Sequence, residues 1–169
     1  MNSAGTNASP IHFIQSAYGW LIKLASLLQS PLLLVVRLYW GWQFFITGKG
    51  KLEHLDKITQ FFTSLGIPMP HFNAIMAGTT ECVGGLLLLI GLASRLTCIP
   101  LTVVMIVAYV TADLDAVKAI FSDPDQFLGA DPFQFLFAVL LVLAFGPGMF
   151  SVDALLKRRF GKPTTGGGN

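Results

Sequence analysis

The chain has 169 residues, of which 53% are hydrophobic and 12% charged, and a formal net charge of +2. Soluble domains carry roughly 25% charged residues, so lipid is expected in place of water over much of the surface. The length suits one domain, and the small charge, without a Lys/Arg stripe interleaved with aromatics, excludes nucleic acid as a partner.

Residues 1–10 are small and polar and read as a disordered tail. From Ile11 onward His12, Gln15, Ser16, Gly19, Lys23, Ser26 and Ser30 recur every three to four residues. The opposite face carries Phe13, Ile14, Tyr18, Trp20, Leu21, Leu24, Leu27 and Leu28. This stripe predicts an amphipathic helix lying in the membrane interface, with Pro31 marking the bend into the next helix. A first span is expected over about 29–48, with Trp40 and Trp42 suited to an aromatic belt. Ile58, Phe61, Phe62 and Leu65 then mark a short amphipathic helix closed by Gly66-Ile67-Pro68.

A second span is expected over 72–93 and a third over 96–112, where Pro100 is tolerated as in other membrane bundles. Residues 113–131 form an acidic connector broken at Asp123-Pro124-Asp125. A fourth span, about 132–150, passes through Gly146-Pro147-Gly148. Ser151 is the expected N-cap of a short basic helix to Arg159, and residues 161–169 form a flexible tail. The expected fold is all-α: a four transmembrane helix bundle with an N-terminal interfacial amphipathic helix, one membrane domain over residues 11–160. MNSAGTNASP has no basic n-region and no A-x-A-like site follows an apolar stretch, so no cleaved leader is expected.

With the termini and the Ala93–Arg95 turn on one side, that side holds Lys23, Arg95, Lys157, Arg158, Arg159 and Lys162. The other holds Lys49, Lys51, Lys57 and Lys118, which favours both termini in the cytoplasm. Cys82 and Cys98 would lie ~16 Å and ~5 Å from the turn joining the second and third spans. A bridge needs Cα atoms within ~7 Å, so the two read as free buried thiols.

Two charges interrupt the apolar runs: Arg37 in Pro31–Ile46 and Glu81 in His71–Ala93. A lone charge at bilayer depth costs on the order of ~2.5–3.5 kcal/mol, so opposite charges on different spans are expected to meet. Counted from the inner boundary, Arg37 lies ~13 Å deep and Glu81 ~18 Å deep, an offset that long side chains cover. Such a pair has two readings. It either fixes the packing of the first two spans or forms a polar pocket in which Glu81 takes protons and Arg37 holds an anion or the carbonyl of a redox ligand. Thr79, Thr80, Tyr39, Trp40, Gln43, Tyr109 and Thr111 are the groups able to line such a cavity. His54 and the connector aspartates show no metal-ligand spacing, so no metal site is expected.

Arg37-Leu38, Gly41, Phe44, Gly48, Lys51-Leu52 and Phe62…Gly66-Ile67-Pro68, in that order, resemble the first half of the DoxX family of small bacterial membrane proteins. Glu81, Gly84-Gly85, Leu87–Leu89, Gly91-Leu92 and Arg95 are similar to its second-helix signature, and Gly146-Pro147-Gly148…Ser151…Asp153 to its C-terminal end. The likeness covers about residues 31–155. The resemblance implies a four-helix bundle in the bacterial inner membrane, with both the family's Arg37 and Glu81 positions and that of Lys51 present. Its named relatives include a subunit of a thiosulfate:quinone oxidoreductase, and others are associated with membrane oxidoreductase complexes in redox or metal stress.

The resulting expectation is a redox-linked membrane subunit. Catalytic Glu81 and Arg37 are joined by Trp40, Lys51, Thr80 and Tyr109 around a quinone. No haem-ligand His lies in a span and no Cys pair is present, so electrons would come through a quinone or a partner subunit. The rival reading is a non-catalytic anchor or assembly protein that recruits enzymes through Lys157–Arg159. Partner subunits and a homo-oligomer fit either. A small transporter fits less well, because no inverted repeat is present.

Overall fold

The computed structural model describes residues 10–160, with side chains described at residue 15 and over 18–160. The tails expected at 1–10 and 161–169 lie outside the described residues, apart from Pro10 at the start of the first helix. Much of the polar stripe over 11–17 also lies outside the side-chain description. Among the described residues the chain is helical throughout, in eight elements. These are α1 (Pro10–Glu53), α2 (Leu55–Ser64), α3 (Pro70–Ile90), α4 (Ser94–Thr111), α5 (Leu114–Lys118), α6 (Pro124–Gly129), α7 (Asp131–Phe145) and α8 (Val152–Phe160).

Three helices are long and apolar enough to cross a membrane: α1 over Tyr18–Glu53, α3 and α4; α7 is apolar but has 15 residues. The helices pair as α1 with α3 and α4 with α7. The α3–α4 and α1–α7 contacts close these four into one body, and α2 rests on α3. Phe44, Leu88, Cys98, Leu101, Met105, Val139 and Val142 form the core, drawn from all four packed helices. Cys82 and Cys98 are both free.

The first helix differs from expectation. Pro31 does not divide it: α1 runs 44 residues through the proline. A proline inside a helix removes one backbone hydrogen bond, a loss that helix-rich membrane proteins absorb. Ser30 touches the Gly148–Met149 turn and the buried part of α1 begins at Leu33, while Tyr18, Trp20, Leu21, Leu24, Leu27 and Leu28 are all exposed. The last long helix is shorter than its apolar run. It stops at Phe145 because Gly146 takes φ 81°, ψ −177°, outside the helical region, and Pro147 follows.

Glycine sets the register of the α1–α3 pair. On α1 the buried stripe is Leu33, Arg37, Gly41, Phe44 and Gly48; on α3 it is Ala74, Gly78, Glu81, Gly84, Gly85 and Leu88. Gly41 faces Gly85 and Leu89, while Gly48 faces Gly78 and Cys82. A Cβ on Gly85 would lie 2.5 Å from the Phe45 nitrogen and 2.7 Å from the Gly41 oxygen. The two backbones therefore touch, the close approach that small residues permit between membrane helices. Facing backbone residue numbers sum to between 126 and 130, and this relation fixes the relative height of α1 and α3.

Candidate functional site

Arg37 and Glu81 are both 1% exposed, yet they do not pair. Their numbers sum to 118, so they are displaced along the seam by roughly ten residues, or ~15 Å at 1.5 Å per residue. The depth estimate failed because it measured each span from its presumed start. The glycine contacts fix the relative height of α1 and α3 instead.

Arg37 is held by backbone oxygens. Its Nε donates to Leu88 O at 3.1 Å, and its Nη2 donates to Leu89 O at 3.3 Å and Phe150 O at 3.1 Å. Its Nη1 donates to Pro147 O. Two acceptors belong to the last turn of α3, where carbonyls run short of helix partners (Leu88 O also accepts from the Gly91 amide at 3.2 Å) and the helix dipole favours a cation. The other two belong to the turn after α7. Gly91, at φ 72°, ends α3 here, and a Cβ on it would fall 2.7 Å from Ser151 Cβ and 2.8 Å from Arg37 Cζ. Asp153 completes the arrangement: its carboxylate accepts from Ala93 N at 2.7 Å and Ser94 N at 2.9 Å, capping α4. Ser151 caps α8 as expected, accepting from Ala154 N at 3.1 Å. Arg37 thus joins the end of α3 to the α7–α8 turn, and no partner role toward Glu81 is open to it.

The partner of Glu81 is Lys51. Lys51 Nζ sits 2.5 Å from Glu81 Oε1, with the lysine side chain 28% exposed and the glutamate 1%. Among the described residues Glu81 Oε2 is buried with no hydrogen-bond partner. Thr47 neighbours the carboxylate, but its hydroxyl already donates toward Gln43 O and Phe44 O, at 2.9 and 3.1 Å. Gly48 and Gly78 provide the room. Leu52 covers Gly78, its Cδ2 2.9 Å from where a Cβ would stand. The result is a buried carboxyl with one oxygen on a half-exposed ammonium and the other free. That arrangement can hold a proton, or accept a bond, at Oε2 and exchange it through the partly exposed Lys51.

The remaining expected lining residues disperse. Trp40 packs edge-on against Phe135 (ring centroids 4.9 Å apart) and Tyr39 (5.1 Å). Tyr109 donates to Phe127 O at 2.7 Å and stacks on the Phe127 ring, tying α4 to α6. Thr80 is half-buried beside Glu81 in sequence. Among the described residues no three His, Cys, Asp or Glu side chains come together where they could hold a metal ion. Thr47, Gly91 and Asp153 were missed as participants. The paired glycines, seven apart on both helices, were the signal that would have placed Thr47 opposite Glu81, with Lys51 one turn further along α1.

A sequence model of the DoxX family matches residues 32–114. The chain is 31% identical over 141 residues to membrane protein Rv3486 of Mycobacterium tuberculosis, itself uncharacterized, covering 76% of this chain and 83% of that protein. It is 34% identical over 83 residues to CatD of Bacillus subtilis, whose name proposes an oxidoreductase, covering 49% of this chain and 60% of that one. No solved structure matches the chain.

Proposed function

The chain belongs to the DoxX family of membrane proteins, and from that premise we propose that it is an integral membrane component of a redox-linked system, exchanging protons with a quinone head group at Lys51–Glu81. One observation carries the reading: Glu81 Oε2 is buried without a partner while Oε1 is held by Lys51. Buried polar groups are normally hydrogen-bonded, so a free oxygen at this depth invites a ligand. The carbonyl of a quinone would be held here by a hydrogen bond. A protonated Oε2 donates to it, and Lys51, reaching toward the end of α1, restores the proton. Quinones accept two electrons and two protons when bound and reduced; the electrons come from a partner subunit. The name of CatD points the same way.

The reading includes a finer topology. In it α7, ~22 Å long, completes a four-span bundle. The exposed N-terminal part of α1 runs in the membrane interface, where loss of a hydrogen bond at Pro31 lets it bend. Both termini then lie on the cytoplasmic side of a bacterial inner membrane. Homo-oligomer formation is compatible with this arrangement.

The test is to extract and identify the quinone retained by protein purified in mild detergent. Glu81→Gln and Lys51→Met should each lower quinone content about tenfold or more, the value of one charge-assisted hydrogen bond, while the thermal transition persists. A folded Glu81→Gln protein with wild-type quinone content refutes the reading. The anchor alternative draws on the exposed Lys157, Arg158 and Arg159 of α8. It predicts that deleting residues 157–169 abolishes partner co-purification and leaves quinone content unchanged.

A further inference from the structure

We propose that the crevice between α4, α7 and α8 holds the phosphate of an anionic phospholipid, a site separate from Lys51–Glu81 and independent of the quinone reading. The cavity measures about 560 Å³. Arg95 and Lys157 supply its positive wall, and Leu96, Phe145 and Leu156 its apolar one. Arg95 donates to Ala144 O at 3.2 Å through Nη2 and lies along Gly146, where no side chain competes for the space. Its other N–H groups make no bond to the protein among the described residues. The acid in the crevice is Asp153, and both its oxygens are engaged by the Ala93 and Ser94 amides. Two cations therefore face one already satisfied anion.

The surroundings select a lipid rather than a soluble anion. Leu96 is 69% exposed and Phe145 58%, at the ends of apolar helices beside the crevice, where only acyl chains can cover them. No residue of α8 is buried, and it mixes exposed Leu155 and Phe160 with its basic residues, the composition of a helix resting on an anionic leaflet. A guanidinium with an ammonium nearby suits a phosphodiester, with the fork of Arg95 fixing the phosphate oxygens.

The experiment titrates detergent-purified full-length protein with phosphatidylglycerol, phosphatidylcholine and inorganic phosphate, and counts adducts by native mass spectrometry. Phosphatidylglycerol should bind in preference to phosphatidylcholine. The preference should fall about thirtyfold in the Arg95→Ala/Lys157→Ala protein, two basic contacts at a membrane surface being removed. Arg158→Ala/Arg159→Ala, on the same helix but outside the crevice, should retain it. Equal binding of the two lipids by the wild type overturns the proposal. Displacement of the lipid by millimolar inorganic phosphate also overturns it, by showing a free-phosphate site. Equal loss in both double variants does so too, by showing a diffuse basic surface of the kind that recruits an acidic protein. Should the crevice variant fail to fold, the wild-type lipid selectivity decides.

Discussion

If Arg37 and Glu81 act at separate places, their energies must be independent. Removing Arg37 by Arg37→Leu strands three carbonyl oxygens, those of Leu89, Pro147 and Phe150, while Leu88 O keeps the Gly91 amide at 3.2 Å. At ~1–3 kcal/mol per orphan, taken near the low end because all three are only partly buried, the loss is about 3 kcal/mol. Glu81→Gln keeps the shape of its side chain and weakens a single bond to Lys51. Because the two sites share no partner and are ~15 Å apart along the seam, the double variant should lose the sum of the single losses, to within ~0.5 kcal/mol. Lys51→Met with Glu81→Gln should instead couple by about 1–3 kcal/mol, because the side chains touch. The charge swap Arg37→Glu/Glu81→Arg should rescue nothing. It sets a carboxylate among four carbonyl oxygens and a guanidinium against Lys51. The assay is thermal unfolding of the purified variants in one detergent, read as a double-mutant cycle. Recovery of yield and unfolding temperature by the swap, or Arg37–Glu81 coupling above ~1 kcal/mol, would refute the separation.

Glycine positions offer a matched pair. Gly48→Ala drives a Cβ onto the Cys82 backbone nitrogen, with Gly78 O at 2.7 Å, whereas Gly50→Ala meets nothing within 4 Å. The first should cost about 2 kcal/mol or more by forcing backbones apart, and the second should gain up to ~1 kcal/mol of helix propensity; unfolding temperatures with opposite signs are expected. Gly91→Ala combines a left-handed φ with contacts at 2.7 and 2.8 Å, so it should be at least as damaging as Gly48→Ala by the same measurement. Asp153→Ala removes the cap of α4 and should cost ~1 kcal/mol; Asp153→Asn, which keeps one acceptor, should recover about half.

Much of the helix plan was legible because apolar runs and their punctuation are local properties. Gly66 lies in the turn expected to close α2, and Ser151 caps the helix it precedes, whereas Gly91 and Gly146 end α3 and α7 inside the spans expected over 72–93 and 132–150. Pro31 was expected to mark the bend into a new helix, yet α1 continues through it, because a helix can lose one backbone bond without ending. The seam was legible but unread: Gly41 and Gly48 on one helix and Gly78 and Gly85 on the other state the register outright. What sequence could not offer was the environment of Arg37. Its acceptors are main-chain oxygens, which every residue carries, so no side-chain pattern marks Leu88, Leu89, Pro147 or Phe150. A search restricted to ionisable partners was bound to give Arg37 the wrong one, Glu81.

The clasp around Arg37 also imposes an order on biogenesis. Its acceptors on the α7–α8 turn lie 110 and 113 residues downstream. At roughly 5–20 residues per second of synthesis, the arginine waits about 5 to 20 s for them. During that interval a cation already committed to the first inserted helix has at most the α3 carbonyls, and before those exist only water or lipid head groups. The nascent chain must therefore keep its first span near the insertion machinery, or at the bilayer edge, until the last turn arrives. A chain that ends before Pro147 lacks two of the four acceptors of Arg37, so the latch closes only when the last turn has been made.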